Sequence, residues 1–165
     1  MKNQSVVLNP PSQTEKILDA AAFIFAGIAL LLAFSNYVTL PEQIPIHFNY
    51  KGEADNYGPK STLFMLPGIA LAIAFGLFFL SKSPHKFNYT VNITAENAAE
   101  NYQNARLLVK WLNALATLLF LLITWEVITT AKGAESNLGV LFWIVVALTV
   151  ITPFYFMMRK QPTPS

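Results

Sequence analysis

His47, Glu53 and Asp55 lie close together on one short stretch of a chain that is poor in charge. A histidine with two carboxylates is an oxygen–nitrogen donor set of the kind that binds a divalent metal. Their spacing fits no established ligand pattern, and three such residues arise easily on one turn-rich loop. Ser61, His47 and Asp55 can also be written as nucleophile, base and orienting acid, yet no nucleophile elbow or oxyanion motif accompanies them. No P-loop, dinucleotide fingerprint or H-E-x-x-H sequence occurs. The chain has no cysteine, which removes thiolate catalysis, disulfides and Cys-ligated metals together. The expectation is a protein that is not an enzyme and holds no metal or cofactor. Two uses then remain for His47, Asn49 and Asp55. They hydrogen-bond the loop's own backbone and fix its turns, or they join Gly52 and Lys60 in an outward surface that binds a peptide or partner protein.

Glu126 is the second candidate. It shares a helical stripe with Leu115, Leu119 and Leu122, near the outer end of an apolar run. An ionisable group in such a run is by default a functional hypothesis. A structural pair with Lys60, or failing that His47, explains the same position, and we expect the Lys60 pair. Asp19, close to the start of the first apolar run, serves either a pore or the headgroup layer.

The elements that must position these residues are hydrophobic. Of 165 residues, 54% are hydrophobic and 12% charged, about half the charged share of soluble domains (roughly 25%). The segments 20–41, 61–81 and 136–158 carry no charge, and 111–127 is interrupted only by Glu126. Each is close to or beyond the ~18–20 residues that cross a bilayer. The fold class expected is an all-α integral membrane protein. A single domain over 14–158 has four spans, about 17–39, 62–80, 107–130 and 138–158. Residues 1–13 are expected to be disordered, and 159–165 form a tail. The net charge of +2 is scattered over the ends of the spans, so no nucleic-acid partner is expected.

Between the first two spans lies an ordered loop, 41–60. Ile44, Ile46 and Phe48 alternate with Pro45, His47 and Asn49 as in a strand, and Pro45 makes it an edge strand. Lys51-Gly52 and Tyr57-Gly58-Pro59 read as turns. In the second span, Gly68, Ala72 and Gly76 form a small-residue ladder for close helix packing, against another span or a second copy in a homo-oligomer. Phe87, Tyr89, Val91 and Ile93 alternate with polar residues as a strand. Thr94 then reads as the N-cap of a helix from Ala95, whose first turns project from the membrane and lead into the third span. Lys and Arg number eight on one side and three on the other, which places both termini in the cytoplasm. Loop 41–60 then faces outward, and residues 87–106 are available to a cytoplasmic partner.

The pattern L-P-x-x-I-P-x-H-F-N-x-x-G-x-x-D-x-x-G-x-K, carried by Leu40, Pro41, Ile44, Pro45, His47, Phe48, Asn49, Gly52, Asp55, Gly58 and Lys60 and followed by Pro67, resembles a bacterial membrane family catalogued as domain of unknown function 1648. The resemblance covers about residues 18–80. It implies a location in the bacterial cytoplasmic membrane. The same domain opens the SdpI-type immunity proteins, which protect some bacteria from a secreted killing peptide and can sequester a repressor at the membrane. Those proteins continue into a further multi-helix membrane region, which is not recognised in this sequence. Two function classes result. One is a binding or sensing protein that meets a peptide or partner through the outward loop. The other is a small transporter or channel subunit, which needs several polar residues along one path, whereas Asn113 and Glu126 lie on opposite faces of the third span.

Overall fold

Ser12 opens the first helix with a reciprocal cap. Its hydroxyl accepts from the Glu15 amide (3.2 Å), and the Glu15 carboxylate accepts from the Ser12 amide (2.7 Å). The computed structural model describes residues 9–158, so the expected tail and most of the expected disordered N-terminus lie outside the described residues. The cap starts α1 (Gln13–Asn36), which ends in a 3₁₀ turn, Tyr37–Thr39. An antiparallel hairpin follows, β1 (Gln43–Phe48) and β2 (Ala54–Pro59), then a 3₁₀ turn, Lys60–Phe64, leading into α2 (Met65–Ser81). The chain continues through an irregular connection to α3 (Ala98–Ala131) and, after a short loop, α4 (Gly139–Met158). Among the described residues, four helices are long and apolar enough to cross a membrane.

Contacts fix how the helices run. Glu15 meets Arg106 and Asp19 meets Lys110, each pair 91 positions apart, so α1 and α3 are parallel. Phe23 meets Phe75 and Phe78, while Phe34 meets Phe64, so α2 runs opposite to α1. The seam between them is built of small residues. Ala22, Ala26, Ala29 and Ala33 of α1 are fully buried, as are Ala70 and Ala74 of α2. Lipid tails are as apolar as leucine, so close backbone approach and dispersion hold such helices together. On α3, the buried Arg106, Lys110, Asn113, Thr117 and Thr124 lie within roughly 60° of arc at 3.6 residues per turn and face this seam. α4 packs against α3 and buries only Val145 among its side chains.

Several sequence expectations change. Because β1 and β2 form a sheet, the chain is mostly helical rather than all-α, and Tyr57-Gly58-Pro59 belongs to a strand rather than a turn. Gly68, Ala72 and Gly76 are exposed, and a Cβ added at Gly68 or Gly76 would meet nothing within 4 Å. The packing face of α2 is instead Pro67, Ala70, Ala74 and Ser81. Residues 87–93 form no strand, since no partner strand lies beside them. Tyr89 instead donates to the Pro84 carbonyl (2.8 Å), and its ring meets that of Tyr102 at a tilt of 53°. The helix begins at Ala98 rather than Ala95, because the Thr94 amide donates to Asn97 Oδ1 (2.9 Å) and residues 95–97 form a turn. At ~1.5 Å per residue the 34 residues of α3 extend about 50 Å, longer than a hydrocarbon core of about 30 Å.

Candidate functional site

The hairpin tip is built by two residues. Asn49 Oδ1 accepts from the amides of Lys51 (2.8 Å) and Glu53 (3.1 Å), an Asx turn. Gly52 then adopts φ +83°, and a Cβ there would lie 2.9 Å from the Leu138 amide nitrogen. Glycine is required on both counts. The tip is tied to the loop before α4, where Ser136 Oγ donates to the Gly52 carbonyl (3.0 Å) and accepts from the Ala54 amide (2.8 Å).

Two irregularities set the side-chain directions. Ile46 of β1 and Asp55 of β2 have no cross-strand partner, so each strand carries one extra residue. Such bulges re-aim side chains and break alternation. Ile44 and Pro45 are consequently both buried, while Ile46 and His47 are both exposed. Asp55 is brought to His47, with Oδ1 2.5 Å from Nδ1. The pair stays open to solvent, with side-chain exposures of 64% and 43%. Exposed pairs add only about 0–1 kcal/mol to stability, so the fold does not depend on it. Glu53 does not join the pair. Its carboxylate accepts from Asn49 Nδ2 (2.9 Å), and among the described residues no group of three His, Cys, Asp or Glu could hold a metal.

The expected Glu126–Lys60 pair is not formed. Lys60 Nζ lies 2.9 Å from Glu42 Oε1 and 5.3 Å from the centre of the Tyr37 ring. Glu126 Oε1 accepts from the Asn137 amide (2.8 Å) and the Thr130 hydroxyl (3.2 Å), closing the turn between α3 and α4. Helix geometry is the reason. Lys60 starts a 3₁₀ turn beside Glu42 across the sheet, and Glu126 faces its own helix's exit. Ser61 is exposed at the foot of the hairpin.

Beneath the sheet is an apolar cleft of about 340 Å³. Its roof is Ile44, Pro45 and Phe48, its floor Leu63 and Ile123, and Ile46, Met65 and Ile69 stand exposed at its mouth. Leu40, Ile44 and Leu63 also join Val127 and Ile128 in the core that seats the hairpin on the helices.

Sequence reasoning singled out Asp19 but missed the ion pairs at the far end of the bundle. Arg106 Nε lies 2.9 Å from Glu15 Oε1, with both side chains buried, and Arg106 Nη1 donates to the Asn9 carbonyl (2.8 Å). One turn along, Lys110 pairs with Asp19. The signal was present: two acids at i, i+4 on the first helix and two bases at i, i+4 on the third. Higher in the seam, Asn113 Nδ2 donates to the Ala74 carbonyl (3.1 Å) of α2, and its Oδ1 is buried without a protein partner.

Residues 24–71 match a family described as a domain of unknown function, DUF1648. The match begins within α1, contains the whole hairpin and ends in α2. No curated protein and no solved structure matches this chain.

Proposed function

For a chain whose residues 24–71 place it in the domain of unknown function 1648 family, we propose a non-enzymatic role in which the hairpin cap, facing outward from the bacterial cytoplasmic membrane, binds a peptide with apolar side chains. The observation that carries this reading is the 340 Å³ apolar cleft, whose lining residues Ile46 and Phe48 flank the exposed His47 of the His47–Asp55 pair in sequence, although neither member of the pair lines it. Small-molecule and side-chain pockets begin near 300 Å³ and combine apolar walls with few polar groups. An apolar side chain fills the cleft, and His47 and Asp55 meet the polar backbone of the same peptide. The Asx turn, Gly52 and Ser136 hold that surface in one geometry, so little ordering is needed on binding. The test is a deletion strain challenged with secreted peptide fractions. Sensitivity restored to resistance by the intact chain, but not by a stably produced His47→Ala/Asp55→Ala variant, is the expected result. Unchanged sensitivity on deletion removes the reading.

A second reading, a small transporter, draws on the polar column Lys110, Asn113 and Thr117 and on the unpartnered Asn113 oxygen. Against it, the facing alanines seal the seam, and Thr117 satisfies its hydroxyl on its own helix. Flux in proteoliposomes that Asn113→Leu abolishes is the result that would favour it.

A further inference from the structure

The apolar cleft beneath the hairpin lies at a depth that decides how it is reached. Its roof residues Ile44 and Pro45 are buried, and Ile44 joins the core that seats the hairpin on α3. Its mouth is formed by the exposed Ile46 of β1 and by the exposed Met65 and Ile69 of α2. The segment Lys60–Ser81 extends about 35 Å, at ~2.0 Å per residue in its 3₁₀ turn and ~1.5 Å in α2, against a hydrocarbon core of about 30 Å. Met65 and Ile69 fall about 10 Å and 16 Å along it from Lys60, within that core. On α3, the floor residue Ile123 lies two positions further from the helix end than Trp125, an exposed aromatic of the kind that marks the membrane–water interface. The cleft therefore opens sideways into lipid rather than upward into water.

Among the described residues of its wall only Thr62 has a polar side chain, and that hydroxyl donates to the Pro59 carbonyl (2.8 Å). A polar group entering the cleft would go unpaired, so what enters is hydrocarbon. The mouth is also continuous with the membrane-facing surface of the bundle. Met65, Ile69, Ala72 and Gly76 follow one another at helical spacing and are all exposed. A peptide dissolved in water would have to cross lipid to reach this mouth. An amphipathic peptide already on the bilayer buries its apolar face about 5–10 Å into the boundary of headgroups and acyl chains, which reaches the level of Met65. We propose that the cleft is loaded from the bilayer: its ligand is an amphipathic peptide that partitions into the leaflet beneath the hairpin and passes an apolar side chain sideways between Ile46, Met65 and Ile69. This inference rests on the peptide reading above and adds the ligand's class and its route.

The chain has no cysteine, so nitroxide labels can be attached singly through Met65→Cys, Ile69→Cys, Tyr50→Cys and, as a lipid-facing control, Leu148→Cys, all at exposed positions. In phosphatidylethanolamine/phosphatidylglycerol bilayers, dissolved oxygen should relax the labels at 65 and 69 more than a water-soluble nickel chelate does, with the order reversed at 50. Dominance of the chelate at 65 and 69 overturns the lateral route. Secreted peptide that kills the deletion strain is then mixed with protein-free vesicles of the same lipids and centrifuged. The killing activity should pellet with the vesicles, and the same fraction added to the labelled bilayers should lower oxygen relaxation at 69 and leave it unchanged at 148. Activity that stays in the supernatant, or oxygen access at 69 that the fraction does not alter, overturns the proposal. Unchanged sensitivity on deletion would instead remove the peptide reading and this occupant with it, while the oxygen result at 65 and 69 would still report a mouth open to lipid.

Discussion

Replacing Arg106 by methionine tests how the first and third helices are locked in register. Glu15 is fully buried and Arg106 is 6% exposed. Their contact places Glu15 Oε1 2.9 Å from Arg106 Nε and Oε2 3.5 Å from Nη2. Arg106→Met strands a buried carboxylate that retains only the Ser12 amide as a donor, and breaking such a pair typically costs about 3–5 kcal/mol. Because the cap survives, we expect the lower part of that range. Glu15→Gln also keeps an acceptor for Ser12 but leaves the guanidinium with the Asn9 carbonyl, for a loss of similar size. With both changes no unpaired charge remains. The double variant should therefore fall short of the sum of the single losses by at least ~2 kcal/mol. Unfolding in mixed micelles of increasing denaturing detergent, followed by circular dichroism, gives all four values. Losses that add to within ~0.5 kcal/mol would show that the two side chains do not act as a pair, and the parallel register of α1 and α3 would lose its main support.

Gly52→Ala should destabilise by at least ~1–2 kcal/mol from the left-handed backbone alone, and by more than Gly133→Ala. Both have positive φ, but only at Gly52 does the new Cβ strike the Leu138 backbone; denaturant midpoints compare them. Ala74→Ile should sharply lower folded yield because Ala74 is fully buried, whereas Gly76→Ile should leave the melting temperature of the monomer unchanged, since a Cβ there meets open space. Burial, helped by Tyr102, raises the Tyr89 phenol from 10.0 to about 12. The proton is thus held more tightly in the folded state, so the Tyr89 contribution is present below pH 10 and lost as pH rises toward 12. Tyr89→Phe should flatten that part of the stability profile.

The hairpin tip was legible because its determinants are local: Asn49 and Gly52 act within four residues of each other. β2 was not, because Tyr57-Gly58-Pro59 has turn composition. Gly58 sits in the strand for a cross-strand reason, since a Cβ there would come within 3.0 Å of the bulged Ile46 side chain. Alternation at 87–93 misled in the opposite sense, as period two specifies a strand only where another strand can pair with it. Within the chain, α2 packs through Pro67, Ala70 and Ala74 rather than through the Gly68/Ala72/Gly76 ladder, because every face of that helix is apolar and periodicity cannot choose among them. The buried ion pairs join residues 91 positions apart, beyond any local pattern. The four apolar spans needed no tertiary information, since length and hydropathy alone define them.

The account rests most heavily on the hairpin lying outside the cell, and the absence of native cysteine makes that directly measurable. Cysteine is introduced singly at Tyr50, an exposed position in the hairpin turn, and at Lys86, exposed at the opposite end of the bundle. Intact cells are treated with a membrane-impermeant thiol reagent. Labelling at position 50 in intact cells, and at 86 only after permeabilisation, is the predicted result. Labelling at 86 but not at 50 would place the hairpin in the cytoplasm and contradict the proposed outward binding surface.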